Sequence, residues 1–203
     1  MYELTIPMAL FDYVPVILFG WAAFLLQKDL YRKMSKYAFA CLAAGTINAF
    51  LSGFLKATWK LLYAAGICDF YVLNDLFLPL QSIGLLLAGL GIVMMLTARR
   101  KAMLAVAPPL FSGSFIFIAM MVLGRGVLCI GLSVVAARMK KKNAIVLLVL
   151  CFVAGLGMGY LSSRGNDSAL ANWLSQGINC ASQLLFLGGV MILHKAGLRD
   201  LPV

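Results

Sequence analysis

Four carboxamides, Asn172, Gln176, Asn179 and Gln183, recur at spacings of four, three and four near the C-terminal end of an otherwise apolar chain. That spacing places them on one face of a single helix. Amides both donate and accept hydrogen bonds, so a row of them suits a neutral polar ligand better than a bare ion. Gln81 and Asn74 stand 98 positions before Asn179 and Asn172, which makes Gln81 and Asn179 a candidate pair across a shared cavity. Asn48 and Trp21 add an isolated amide and a ring that could stack on a ligand. Asp12 is the one carboxylate well inside an apolar run, a candidate proton or cation site.

Other chemistry finds little support. The single histidine, His194, sits at the end of an apolar run, and no Ser-His-Asp or HExxH arrangement occurs. No glycine-rich phosphate loop is present. Cys41, Cys68, Cys129, Cys151 and Cys180 form no CxxC pair and read as small core residues. No enzyme, metal or cofactor is expected.

These side chains must be carried by elements of one kind. The chain has 203 residues, 63% hydrophobic and 12% charged, outside the range of ordinary soluble domains. Apolar runs close to the ~20 residues needed to cross a bilayer as helix recur throughout, and no polar segment is long enough for a separate domain. The expected fold is an all-α integral membrane protein forming a single membrane domain over 1–203. Its net charge of +10 comes in short clusters between apolar runs, where headgroups and topology account for it without nucleic acid.

The runs and their breaks predict spans near 8–27, 37–56, 76–97, 102–122, 125–138, 144–162 and 174–194, with Gly124-Arg125-Gly126 as a turn between the fourth and fifth. With seven spans, the clusters at Lys28–Lys36, Arg99–Lys101, Arg138–Lys142 and Lys195–Arg199 fall on one face. Lys56, Lys60, Arg125 and Arg164 remain on the other. The positive-inside tendency then puts the N-terminus outside and the C-terminus in the cytoplasm, in the plasma (inner) membrane.

"AGTINAFLSG" at 44–53 is echoed by "AGLGMGYLSS" at 154–163. Aligning 37–53 with 147–163 matches Cys41/Cys151, Ala44/Ala154, Gly45/Gly155, Leu51/Leu161 and Ser52/Ser162, while Asn48 faces Met158. The preceding helices agree at Val16/Val127 and Gly20/Gly131, and the following ones at Leu76/Leu174, Leu86/Leu184 and Gly91/Gly189. This pattern predicts a 3+1+3 parallel repeat: repeat one about 8–97, a linker helix about 102–122, and repeat two about 125–194.

Such a 3+1+3 arrangement resembles that of SWEET-type sugar facilitators and nicotinamide riboside transporters, and seven helices in this orientation resemble microbial rhodopsins. The resemblance is one of topology and implies a solute site on the axis between the repeats. The motifs depart from it: Pro15 is followed by Val16 and not by Gln, and Lys195 is at the end of the last span where a retinal lysine would be central.

The expected function is a small-molecule transporter or facilitator for a neutral polar solute. Its site would lie near mid-membrane between the third and seventh helices, formed by Gln81, Asn179, Gln183, Asn48, Gln176 and Trp21. A seven-helix receptor or sensor subunit is the alternative, and a scaffold without ligand is the third reading. The expected partners are the lipid bilayer and a small polar molecule, with self-association left open.

Overall fold

The computed structural model describes residues 4–97, 114–163 and 169–200. Within them every regular element is helical and no strand occurs. Short helix α1 (Ile6–Phe11) leads directly into α2 (Tyr13–Leu30), followed by α3 (Lys36–Ala64), a single turn α4 (Val72–Asp75), α5 (Phe77–Thr97), α6 (Ser114–Arg138), α7 (Lys142–Ser163) and α8 (Ala169–Lys195). Five stretches, Ile6–Leu30, Lys36–Ala64, Val72–Thr97, Ile116–Arg138 and Leu170–Lys195, are long and apolar enough to cross a membrane. The chain is therefore built as a multi-pass helical membrane protein.

Local chemistry sets several boundaries. Pro7 stands in the first turn of α1, where its missing N–H has no partner to lose. The Ser35 hydroxyl accepts from the Ala38 N–H at 3.3 Å and starts α3. Gly66 (φ 67°) follows the end of α3 in the left-handed conformation that lets a helix terminate.

The contacts along the helices give their directions. Phe11 meets Trp173, Phe19 stacks on Phe186 and Asp29 pairs with His194, so α2 and α8 run side by side in the same sense. Gly124 packs on Leu85 and Leu86, Gly89 on Val127 and Gly131 on Ile92 and Leu96, so α5 and α6 are also parallel. In contrast, α3 runs against α5 through Gly45/Ala88 and Leu42/Gly91, and α7 against α8 through Cys151/Ser182 and Leu148/Gly189. Thus α2, α5, α6 and α8 point one way and α3 and α7 return. Lys28, Lys36, Arg138, Lys142 and Lys195 collect at one end of the bundle, its basic end, and the Ala65–Leu76 connection lies at the other, its mouth.

The predicted turn at Gly124-Arg125-Gly126 is corrected: these residues lie inside the continuous helix α6. Their glycines serve packing. A Cβ on Gly124 would come within 2.5 Å of the Leu86 backbone nitrogen, so glycine is needed for α5 and α6 to touch. The predicted fifth span, 125–138, is accordingly the second half of a longer helix that begins at Ser114. Most of the predicted 102–122 linker helix lies outside the described residues, as do Arg99, Arg100, Lys101 and Arg164.

Within "AGTINAFLSG", Gly45, Thr46, Ala49 and Ser52 form the buried packing face of α3. A side chain on Gly45 would meet the Ala88 backbone nitrogen at 2.3 Å. The buried core, including Leu26, Leu42, Leu85, Ile92, Leu132, Leu148 and Leu193, runs through all the long helices.

Candidate functional site

The helices leave between them a cavity of about 700 Å³, lined by Pro15, Val16 and Phe19 of α2 and by Ala49, Phe50, Gly53 and Lys56 of α3. Tyr71, Asn74 and Asp75 form its rim. Phe77, Gln81 and Leu85 of α5, Phe117, Met121 and Arg125 of α6, and Phe152 and Gly155 of α7 continue the wall, which Asn179, Ser182 and Gln183 of α8 complete. Gly53 lets Val16 of α2 close on α3, since a Cβ there would meet the Val16 side chain at 3.0 Å. The wall is mostly apolar, aliphatic and aromatic, with Lys56, Asn74 and Asp75 toward the mouth and Arg125, Asn179, Ser182 and Gln183 together further in, the mixed lining of a small-molecule site.

Gln81 and Asn179 share this cavity, as their spacing predicts, and Gln183 joins them. Gln81 is tied by the Ser52 hydroxyl, which donates to its Oε1. The Gln183 amide donates to Asn179 Oδ1 at 3.4 Å, while its own Oε1 is buried without a hydrogen-bond partner among the described residues. Gln183 is only 6% exposed. An amide in that state leaves an unmet capacity facing a cavity.

The structure leaves the other predicted residues off the cavity wall. Asn48 is half-buried, one position off the Ala49/Gly53/Lys56 face that α3 turns to the cavity. Trp21 is 55% exposed and packs on Phe24 of its own helix, away from the Pro15/Phe19 face. Gln176 is buried with both amide atoms unpaired among the described residues, but outside the wall. Asp12 pairs with the Lys60 ammonium of α3 at 2.5 Å, with both side chains largely buried. That ammonium occupies the place where a ligand cation would sit.

The residue that sequence reasoning misplaced is Arg125. With α6 continuous, it stands about halfway along a membrane-length helix. Its Nη2 donates to Ser182 Oγ at 2.7 Å and lies 3.2 Å from Cys151 Sγ. Its Nε is buried with no acceptor, and no carboxylate is within ion-pair distance among the described residues. Gly155 makes room for it, since a Cβ there would lie 3.1 Å from Nε. A lone arginine in a long apolar run is a signal in itself, but its two flanking glycines imitate a turn. Lys56, the other cation on the wall, holds its ammonium 4.0 Å over the Phe77 ring near the mouth. Among the described residues no cluster of histidine, cysteine or acidic side chains could hold a metal.

Fold and site together define a multi-pass helical membrane protein with a polar-floored cavity reached from one end. No protein family, curated protein or solved structure matches this chain.

Proposed function

We propose that this chain is a small-molecule transporter or facilitator whose solute enters the cavity from the mouth and is held at its deep end by Gln81, Asn179 and Gln183. One observation carries the reading: amides equivalent under the sequence echo converge from α5 and α8 on one open cavity inside a membrane-length bundle. Burying amides in hydrocarbon is costly unless a partner, water or solute meets them.

The topology of such a protein is seven crossings in a 3+1+3 parallel repeat. Support comes from helix direction: because α5 and α6 are parallel, Thr97 and Ser114 stand at opposite ends of the bundle. Further support comes from two pairings: the last helix of each half, α5 or α8, runs parallel to the first of the other, α6 or α2, as a two-fold axis along the membrane normal requires. The contact of Gly91 with Ala38 also corresponds to that of Gly189 with Leu148 under the echo alignment. In this topology the basic end is cytoplasmic and the mouth faces outward.

Uptake into proteoliposomes tests the reading. Replacing Gln81 or Asn179 by leucine removes hydrogen bonds made in a water-poor site and is expected to lower uptake by about tenfold or more while the protein still inserts and folds. Unchanged uptake in both variants refutes it.

A further inference from the structure

Amides alone point to a neutral solute, but Arg125 changes the charge of the site. Resting on the reading of the cavity as a solute site, we propose that its ligand is a small anion whose carboxylate or phosphate group is held by the Arg125 guanidinium beside Asn179 and Gln183.

A guanidinium at mid-depth in a membrane bundle is expensive to keep without a counter-charge. Here its Nη2 is engaged by the Ser182 hydroxyl and the Cys151 sulfur, which hold its position, and no carboxylate pairs with it among the described residues. Its buried Nε has no acceptor among the described residues. A planar guanidinium presents its N–H groups as a fork matched to two oxygens of one carboxylate or phosphate. The cavity wall reinforces the sign: Arg125 and Lys56 are cationic, and Asp75, the one acidic wall residue among the described residues, is at the rim. The unsatisfied Gln183 oxygen adds an acceptor for a hydroxyl or N–H on the same ligand. Around these groups Phe19, Phe50, Phe117 and Phe152 offer apolar surface to the rest of an organic anion.

A purely structural arginine, bridging α6 to α7 and α8, is the competing account. Thermal unfolding of the purified full-length chain in lipid nanodiscs, at fixed ionic strength, separates the two. The probes are benzoate, lactate and inorganic phosphate against glycerol, inositol and choline. At least one anion is expected to raise the melting temperature while the neutral and cationic probes do not. The carboxylates and phosphate report which anionic group is preferred. Arg125→Gln should weaken the effective anion by roughly tenfold to a hundredfold, the range for a lost charge-assisted hydrogen bond. Should that variant fail to fold, Asn179→Asp keeps the side-chain shape, sets a carboxylate on the wall one turn from Ser182, and is expected to abolish the anion effect. Absence of any anion shift, an equal shift with glycerol or inositol, or a wild-type anion response in a folded Arg125→Gln or Asn179→Asp variant overturns the inference. Flux assays keep the two readings apart. An anion that binds through Arg125 but never crosses refutes transport and leaves the anion site standing. Movement of inositol that is indifferent to Arg125→Gln does the reverse.

Discussion

At the scale of single residues, a buried amide and a buried ion pair outside the cavity make separable predictions. Gln176 is buried with both amide atoms unpaired among the described residues, so Gln176→Met should leave uptake unchanged and raise stability by about 1–2 kcal/mol, read from thermal unfolding. Asp12 and Lys60 form a largely buried pair. Asp12→Asn strands the ammonium and should cost up to about 3 kcal/mol, while Asp12→Asn with Lys60→Met should recover most of that loss. A double variant no better than the single one would show that the pair has no mutual dependence. That Gln81 and Asn179 turn inward was legible in the sequence because an amide in an apolar span is costly to expose to lipid. Arg125 was not, because glycine on both sides has the same composition as a reverse turn and as a close helix contact.

Among the elements, glycine acts through separation between backbones. Gly45 lies where α3 and α5 approach so closely that a Cβ would collide with the Ala88 backbone. Gly45→Val should therefore destabilise the protein by about 1–3 kcal/mol or more, measured by unfolding in detergent. Gly177 of α8 is exposed with nothing within 4 Å of an added Cβ, and Gly177→Ala should be neutral or gain up to about 1 kcal/mol. Helix existence and most boundaries follow from apolar length and from caps such as Ser35. The extent of α6 could not be read this way, since the adjoining apolar stretches on either side of Gly124-Arg125-Gly126 look alike whether they form a hairpin or one longer helix.

For the whole molecule, helix direction makes the topology measurable. Cys68 lies exposed in the connection at the mouth, whereas Lys141 lies at the basic end. A membrane-impermeant thiol reagent applied to intact cells should label Cys68, and should reach Lys141→Cys only after permeabilisation. Single cysteines at positions 97 and 114, in a background where Cys68 is serine, should be labelled from opposite sides. Labelling from the same side would contradict the seven-crossing topology.

By itself the sequence determined the environment: apolar runs of membrane length leave the backbone no alternative to helix, and the amides among them must turn inward. Only the tertiary structure decided which polar groups share a cavity. Facing residues on different helices depends on the rotation and crossing of each helix against its neighbours, and no single helix records that. It was this packing that brought Gln81, Asn179 and Gln183 to one wall, left Trp21 and Asp12 outside it, and set the guanidinium of Arg125 among the amides.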